Sequence, residues 1–386
     1  MAMLTKMNCA ADDSPYTLER LNQNKPIIDQ SMFEAAGVRY EGRNINGPSV
    51  IRVPDWLWPR LAGTVAANAK YLMYFGNHGG QYIRLAYAEN IEGPWALYQT
   101  GKDFEKGERG VLDLGPERKI DIENNLRIKG HIASPRAYLD HEKQVVRLYF
   151  HAPMEGLEGV DVQGNRQKTF VATSGNGLEF NNGIEPVIVS FAYHDEFIVD
   201  AHPHAVASRG SLYRALDPQH PFTPPENWDY GRELWEAEGK NPSDNPFQHA
   251  IDAAKKTGEL SEDVGRCRHF FTRVVGDKAE FYYTRVGDAP ERILMSTVDL
   301  DADGDGKADP FTQWKPSFPP FEILEPEVQW EGVEYPVEAS KPSAKSGGVR
   351  QLRDPFVFED ADGSLYLFYT GQGEAAIGVA KMVPAK

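Results

Sequence analysis

The most constraining feature of this 386-residue sequence is a repeated pair of β-rich segments joined by a turn. The first segment of each pair is aromatic and alternates in polarity, and the second ends in small residues, which are strand signals. The four pairs are residues 70–75 with 82–88, 145–150 with 168–174, 279–283 with 292–297, and 365–369 with 376–380. A further strand precedes each pair, at 48–53, 134–139, 269–275 and 355–359. The repeating unit is therefore an antiparallel sheet of three or four strands.

The spacing of the repeats predicts the number of sheets. Tyr74, Tyr149, Tyr283 and Tyr369 occupy equivalent positions and recur roughly every 70–85 residues, apart from one double-length gap. That gap has room for one more unit, and we assign residues 206–213 to it. Five antiparallel sheets predict an all-β, five-bladed β-propeller. A two-domain β-sandwich is the competing interpretation, but no break in composition and no Ser/Gly-rich linker supports it.

We predict one propeller domain over residues 1–386, with residues 1–45 preceding the blades. The blades are expected at about 46–115, 128–185, 186–260, 262–335 and 345–386. The last unit ends after three strands, so residues 17–32 are expected to supply its outer strand. Helix is scarce, and residues 245–256 are the best candidate.

Charge and composition exclude several classes of function. The formal net charge is −16, and such an acidic chain repels nucleic acid and anionic membrane surfaces. No window of about 18 apolar residues is present, which argues against a membrane span. The two cysteines, Cys9 and Cys267, do not form a disulfide framework. The compartment stays open: periplasmic or secreted if a signal peptide was removed, otherwise cytoplasmic. The oligomeric state also stays open.

Antiparallel pairing predicts where polar side chains converge. We name the strands of each unit A, B and C in chain order. The start of every A strand and every B–C turn then lie at the same end of the sheet. The polar residues at these positions include Asn46, His78, His131, Arg136, His269, Glu291, Arg292, Arg353, Asp354 and Glu374. Because A strands surround a propeller axis, we expect these side chains to meet in one funnel.

Four segments resemble five-bladed propeller glycoside hydrolases of the family 43 type. They are NGPSVIRVPDWL at 46–57, YIRLAYAENIEGPW at 82–95, GDAPERILMSTVDL at 287–300 and LRDPFVFEDADGSLYLFYTGQGE at 352–374. The resemblance covers about residues 44–386 at the level of pattern. It implies a central pocket with an Asp-Pro step at the start of an A strand and two catalytic carboxylates. The Arg353-Asp354-Pro355 step matches, whereas Asn46 stands where the family's base is expected and Arg136 where an acid is expected.

Glycoside cleavage requires one carboxyl group that protonates the leaving oxygen and another that activates water or attacks carbon. We predict Asp354 as the base, because the neighbouring Arg353 should keep it ionised. Glu291 follows a rigid Ala-Pro step and is predicted as the acid, with Glu374 as the substitute. Asn46, His78, His131, Arg136, His269, Arg292 and Arg353 are predicted to bind the sugar; the histidines could alternatively bind a metal or transfer a proton.

A separate acidic motif has the oxygen spacing of a calcium loop. Asp301, Asp303, Asp305 and Asp309 alternate with small residues, and Gly306 permits the bend. The motif follows a C strand, so it should lie opposite the funnel, where bound Ca²⁺ would be structural. An empty acidic turn is the alternative.

The sequence thus predicts an exo-acting glycosidase that degrades a plant or algal oligosaccharide or polysaccharide. The loops at 154–167 and 217–256 are long enough to close one end of the funnel, so that only a chain end enters. Two alternatives remain. A non-catalytic sugar-binding propeller is suggested by Asn46 and Arg136, and a propeller polysaccharide lyase would use His and Tyr.

Overall fold

The computed structural model describes residues 14–38, 42–98, 110–122, 126–156, 167–180, 184–189, 192–219, 221, 235–237 and 245–385. The first described strand and α-helix are the edge strand β1 (Tyr16–Arg20) and the short helix α1 (Gln30–Ala35). The Asp29 side chain caps α1 by accepting hydrogen bonds from the backbone N–H groups of Ser31 and Met32.

The first two sheets, blades 1 and 2, carry additions at their edges. Blade 1 contains β2 (Asn46–Arg52), β3 (Tyr71–Gly76), β4 (Tyr82–Ala88), β5 (Ala96–Leu97) and β6 (Leu112–Asp113), with the short helix α2 (Trp58–Leu61) after β2. Blade 2 contains β7 (Lys119–Ile122), β8 (Leu126–Lys129), β9 (Ala133–Asp140), β10 (Val145–Gly156), β11 (Gln167–Ser174) and β12 (Ile184–Val189). The β7–β8 hairpin pairs with the last residues of β10.

The remaining three sheets have four strands each. Blade 3 contains β13 (Asp195–Val199), β14 (His202–Val206), β15 (Leu212–Ala215) and β16 (Trp235–Ala237). Helix α3 (Pro246–Thr257) then precedes blade 4, which contains β17 (Cys267–Val275), β18 (Lys278–Arg285), β19 (Ile293–Asp299) and β20 (Phe321–Leu324). Blade 5 contains β21 (Arg353–Glu359), β22 (Leu365–Gly371) and β23 (Ala376–Pro384).

The predicted five-bladed propeller is confirmed. The N-terminal strand closes blade 5 as expected, because β1 pairs antiparallel with β23. Glu331, which is fully buried, fixes this closure: its carboxylate accepts hydrogen bonds from Arg20 Nε at 2.7 Å and from Tyr369 Oη at 2.7 Å. No helix within the described ranges is long and apolar enough to cross a membrane.

The hydrophobic core is divided among the interfaces between neighbouring blades. Alternate residues of each aromatic B strand point to opposite faces of the sheet. Tyr74 therefore packs against blade 2, while Met73 and Phe75 pack against blade 5. In the same way Tyr282 packs toward blade 5 and Phe281 toward blade 3. Both faces of each B strand are therefore buried, which explains why consecutive positions along the strand carry aromatic residues.

One guanidinium group joins all five blades at the axis. Arg136 on β9 pairs with Asp195 of blade 3 at 3.0 Å. It also donates to the carbonyl oxygens of Pro48 in blade 1, at 3.2 Å, and Phe270 in blade 4, at 2.8 Å. Its carbon Cζ lies 5.0 Å from the ring centroid of Phe356 in blade 5. This side chain closes the axis beneath the funnel.

Candidate active site

Each innermost strand begins beside a residue in the left-handed backbone region. The five residues are Gly47, Ser134, Tyr193, His269 and Asp354, with φ between 50° and 64°. In blades 1, 2, 4 and 5 the pairing register shifts at this point. A non-glycine residue in this region is strained by about 1–3 kcal/mol, and such strain concentrates at functional sites. The left-handed conformation recurs in all five blades, at a non-glycine residue in four of them, and marks the start of the A strands as the candidate site.

These five residues follow one another around the axis. A Cβ atom on Gly47 would lie 3.4 Å from Ser134 Cα, and Ser134 shares a hydrogen bond with Tyr193. The ring centroids of Tyr193 and His269 are 5.2 Å apart. His269 Nε2 in turn lies 3.8 Å from Asp354 Oδ1. The ring surrounds the axis at one end of the propeller; we call the ring the funnel floor and this end the funnel face.

The predicted convergence of A-strand starts and B–C turns is confirmed by contacts between blades 1 and 5. Glu374, in the B–C turn of blade 5, accepts hydrogen bonds from Asn44 Nδ2 at 2.6 Å and Asn46 Nδ2 at 3.4 Å. Its Oε2 also lies 3.5 Å from His78 Nδ1, in the B–C turn of blade 1. Arg353 Nη1 donates to the other oxygen, Oε1, at 2.9 Å.

These contacts make Glu374 a firmly ionised carboxylate. Burial alone would raise its pKa, but the hydrogen bond and charge of His78 together with Arg353 outweigh burial and bring the pKa to about 2. The same contact raises the pKa of His78 above its usual value, since the hydrogen bond to Glu374 outweighs burial. His78 keeps 39% of its side chain exposed, so it can reach a ligand in the funnel.

Asp354 has the opposite electrostatics. Burial and the charge of Glu374 raise its pKa to about 7, against the lowering influence of Arg353 and Arg268. The prediction that Arg353 keeps Asp354 ionised is therefore wrong, because desolvation of a carboxyl group that is only 6% exposed outweighs one adjacent cation. Thr370 Oγ1 donates to Asp354 Oδ2 at 3.3 Å. At neutral pH this carboxyl group can both take up and release a proton.

Glu291 lies below the funnel floor, between two arginines. Arg268 approaches both of its oxygens, at 2.7 and 2.5 Å, and Arg353 Nε lies 3.1 Å from Oε2. Thr284 Oγ1 donates to Oε1 at 2.8 Å. The side chain has no exposed surface, so the acid role predicted for Glu291 does not fit: its oxygens are occupied, and no leaving group can reach it.

The predicted histidines, His78, His131 and His269, lie on the funnel face in blades 1, 2 and 4. His131 lies beside His151, with ring centroids 5.8 Å apart, and His151 contacts Tyr193 at 5.1 Å. Burial and the nearby His78 lower the pKa of His131. Burial followed by the charge of His131 lowers that of His151 to about 3. The neutral form of both rings is therefore favoured, whereas the contact with Glu374 favours the charged form of His78.

Two arginines predicted to bind sugar lie elsewhere. The guanidinium group of Arg136 pairs with Asp195 and with backbone carbonyl groups at the propeller axis. Arg292 Nε pairs with Glu322 Oε2 on the outer strand β20, at 2.8 Å. Both guanidinium groups are thus engaged by protein partners, which does not fit the predicted role in sugar binding.

The loops predicted to wall the funnel are described only in part. In the first loop, residues 157–166 lie outside the described residues. In the second loop, residue 220 and most of residues 222–244 also lie outside the described residues. The helix predicted at 245–256 is present as α3.

Sequence analysis missed Asn44, Tyr193 and Thr284 as site residues. Asn44 lies two positions before Asn46, a spacing that places both on one face of an extended chain. Tyr193 occupies the left-handed position of blade 3, but no proline follows it, whereas Pro48, Pro135 and Pro355 follow the equivalent residues of three other blades. A repeat alignment anchored on those prolines would have indicated blades 1, 2 and 5 only.

The acidic motif lies between β19 and β20. Carboxylate oxygens of Asp301, Asp303 and Asp305 lie within 4.8 Å of one another. Asp309, also predicted as a ligand, is not part of this group of three; its Oδ2 accepts the backbone N–H of Ala302 at 2.9 Å. The neighbouring Ala308 N–H donates to Asp200, in the A–B turn of blade 3. The motif therefore lies at the end of the propeller opposite the funnel.

Comparison with solved structures supports the fold. A candidate glycoside hydrolase from Bacteroides ovatus is 12% identical with a TM-score of 0.55, over 95% of this chain and 96% of that one. The family 43 protein BlXynB from Bacillus licheniformis is 11% identical with a TM-score of 0.47, over 95% of this chain. The chain spans about half of BlXynB, with 54% covered. At 12% identity, the likeness to the Bacteroides ovatus protein concerns the fold alone.

Comparison of sequences assigns the family. No family model matches the chain. The uncharacterized protein R118 of Acanthamoeba polyphaga mimivirus is 30% identical over 387 aligned residues, which cover 99% of this chain and 94% of that protein. The similarity thus includes all five blades and the closing strand. The chain therefore belongs to the same protein family as protein R118 of this mimivirus.

Proposed function

We propose that this propeller hydrolyses glycosidic bonds of an oligosaccharide or polysaccharide at its funnel face. One observation carries the proposal: Asp354 and Glu374 are neighbouring buried carboxyl groups whose surroundings move their pKa values to about 7 and about 2. Such a separation distinguishes a group that transfers protons from one that remains charged. Glycoside hydrolysis needs both a proton acceptor for water and a proton donor for the leaving oxygen.

Asp354 is the proposed base, and His78 replaces Glu291 as the proposed acid. Asp354 lies on the funnel floor, where it would take a proton from the attacking water. His78 is partly exposed at the funnel face, and Glu374 faces its Nδ1 at 3.5 Å, so Nε2 is the ring atom that would protonate the leaving oxygen. Glu374 then acts through His78 by stabilising its charged form.

These roles give the pH dependence a direction. The base must be ionised, so activity should fall as the pH drops below about 7, the pKa of Asp354. The acid must be protonated, and the raised pKa of His78 moves the loss of activity on the alkaline side to higher pH. A bell-shaped profile is therefore expected.

His78→Gln should lower turnover on natural glycosides by about 10²–10⁴, the usual worth of a positioned acid. The loss should be much smaller on aryl glycosides with good leaving groups, because these need little protonation. His141→Gln is the control, since His141 lies beside Trp56 on the opposite face. An equal loss for good and poor leaving groups would contradict the acid role.

The function is tested with a panel of aryl glycosides and of plant and algal oligosaccharides. Hydrolysis of at least one linkage supports the proposal. Binding across the panel without turnover would instead favour the sugar-binding propeller. For an active substrate, we propose an exo mode: short products should accumulate from the start of the reaction, and a block at one chain end should stop cleavage. A random mixture of intermediate lengths would contradict it.

A lyase reaction is the second candidate, and one contact favours it. Tyr193 lies against both His151 and His269. Tyrosine and histidine are the residue types with which a lyase would abstract a proton next to a uronate and return one. Burial followed by the charge of Asp354 raises the pKa of Tyr193, so its hydroxyl keeps its proton and would serve as a donor. Cleavage of a uronate-containing polymer with ultraviolet absorbance of an unsaturated product would identify this reaction.

We also propose that Ca²⁺ binds the acidic motif. Hard oxygen ligands at alternate positions suit this ion, and Asp301, Asp303 and Asp305 provide them in one cluster. Asp301 also accepts the backbone N–H groups of Asp305 and Gly306, which shapes the turn. The ion would stabilise the fold without entering the reaction, because the motif and the funnel lie at opposite ends of the propeller.

Ca²⁺ should raise the melting temperature by a few degrees, since a ligand that binds only the folded state stabilises it. Asp303→Ala should abolish this gain. Asp362→Ala is the matched control, because Asp362 is likewise an exposed turn aspartate that accepts a backbone N–H two residues ahead. The measurement is thermal unfolding after chelation and after addition of Ca²⁺. An unchanged melting temperature in the wild type would show that the motif is only an acidic turn.

A further inference from the structure

The hydroxyl group of Thr284 fixes the direction of a buried hydrogen-bond chain. Thr284 is fully buried, and its single hydroxyl proton lies within reach of two acceptors, Glu291 Oε1 at 2.8 Å and His269 Nδ1 at 3.3 Å. A hydrogen bond to a carboxylate is stronger than one to a neutral ring nitrogen, and here it is also shorter. The proton therefore points to Glu291, whose carboxylate also pairs with Arg268 and Arg353.

The direction of that hydrogen bond sets the tautomer of His269. With its proton on Glu291, Thr284 Oγ1 can only accept from His269, so Nδ1 carries the ring proton. His269 is 4% exposed, and burial followed by the charges of Arg268 and Arg353 lowers its pKa well below the usual value, so the ring is neutral. Nε2 is then an unprotonated acceptor that faces Asp354 Oδ1 at 3.8 Å.

We propose that His269 is a positioning residue that receives the Asp354 proton as a hydrogen bond at Nε2, with Thr284 and Glu291 holding the required tautomer. This proposal rests on the proposed function. While Asp354 is ionised, two acceptor atoms face each other and stay apart. Once Asp354 has taken a proton from water, its O–H can approach Nε2 to the usual hydrogen-bond distance of about 2.8 Å. The contact is gained only as the proton is transferred, which is where an interaction accelerates a reaction.

Other groups also face Asp354 and act on its charge. Glu374 from the β22–β23 turn favours the protonated form, whereas His78 from the β3–β4 turn favours the ionised form. Arg353 on β21 and Arg268 on β17 also favour the ionised form. Tyr193 lies on the blade 3 side, and Thr370 donates to Oδ2. His269 differs from these groups because its effect on Asp354 depends on the Thr284 hydroxyl.

The tautomer can be observed directly by nuclear magnetic resonance of the full chain labelled with ¹⁵N in its histidine rings. The ring signals of His269 are identified as those that disappear from the spectrum of the His269→Gln variant. In the wild type at pH 8 the expected pattern is a protonated Nδ1 and an unprotonated Nε2. Thr284→Val should shift the ring toward the other tautomer, and Thr284→Ser should restore the original one. A wild-type ring protonated on Nε2 would overturn the proposal.

Titration of the Asp354 carboxyl group, followed by infrared difference spectroscopy against Asp354→Asn, tests the consequence. Thr284→Val and His269→Gln should each lower the midpoint by about one pH unit, the worth of one hydrogen bond to a carboxyl group. Thr370→Val is the matched control: Thr370 occupies the equivalent position in blade 5 but donates to Asp354, so its loss should raise the midpoint. Midpoints unchanged in Thr284→Val and His269→Gln would overturn the proposal.

Neither measurement requires a substrate, so the outcomes separate the two proposals. The expected tautomer and midpoints without hydrolysis of any glycoside would leave the hydrogen-bond chain in place and reject the glycosidase. Hydrolysis that depends on Asp354, with a wild-type ring protonated on Nε2, would keep the glycosidase and reject the role of His269.

Discussion

Asp354→Asn is expected to lower turnover on any hydrolysed glycoside by about 10²–10⁴, with little change in binding. Asparagine keeps the shape of the side chain and can still accept from Thr370, but it cannot take a proton from water. The acidic limb of the pH profile near pH 7, which reports ionisation of Asp354, should disappear with the base. The loss should persist on aryl glycosides with good leaving groups, which distinguishes this variant from His78→Gln. Turnover close to wild type would reject Asp354 as the base.

Asp195→Asn is the matched control for this experiment. Asp195 is also a buried aspartate at the start of an innermost strand, and burial raises its pKa to about 6. It pairs with Arg136 at the axis and accepts the Thr272 N–H, so its replacement should reduce stability without changing the pH profile of the folded fraction. Unfolding by urea together with turnover per folded molecule would separate the two effects.

The same substitution at Asp354 should increase stability at pH 8. The folded state raises the pKa of Asp354 from 3.8 to about 7, so it binds this proton more tightly than the unfolded chain does. Stability contributed by this group is therefore lost as the pH rises through about 7. Asparagine removes the buried charge, and a variant that is more stable but inactive is the expected pattern for a strained catalytic group.

The fold was predictable because the propeller repeats a local pattern. Alternation in strands such as 279–283 sends Tyr282 to one blade interface and Phe281 to the other, so burial on both faces is visible as an aromatic run. Antiparallel pairing places A-strand starts and B–C turns on a common face, which predicts that Asp354, Glu374, Asn46 and His78 lie together. Tyr193 was missed because its blade lacks both the aromatic run and the proline that follows the left-handed residue in blades 1, 2 and 5.

The roles of the carboxylates were less predictable, since they depend on which partners occupy each oxygen. Glu291 and Glu374 both stand in B–C turns on the funnel face, and nothing local separates them. The difference arises because Arg268 reaches Glu291 from an adjacent strand start, while Asn44 and His78 reach Glu374 from another blade. Likewise, the effect of Arg353 on Asp354 was overestimated because the depth of burial is a property of the assembled ring.

Glu291→Gln is expected to destabilise the protein by about 3–5 kcal/mol. Replacing one partner of a buried ion pair leaves the opposite charge uncompensated, and here Arg268 and Arg353 both lose their shared carboxylate. Glu322→Gln is the matched control, because Glu322 pairs with Arg292 at the more exposed edge of the same blade and should cost less than about 1 kcal/mol. The measurement is urea unfolding at pH 7 for both variants.

The result for Glu291 also decides between its two interpretations. If Glu291 holds the arginines in place, turnover of the folded fraction should fall equally for good and poor leaving groups, because Arg353 also contacts Glu374 and its displacement disturbs the whole site. If Glu291 were the acid, stability would remain within about 1 kcal/mol of the wild type and good leaving groups would rescue turnover. The four hydrogen bonds and the complete burial of Glu291 favour the first outcome.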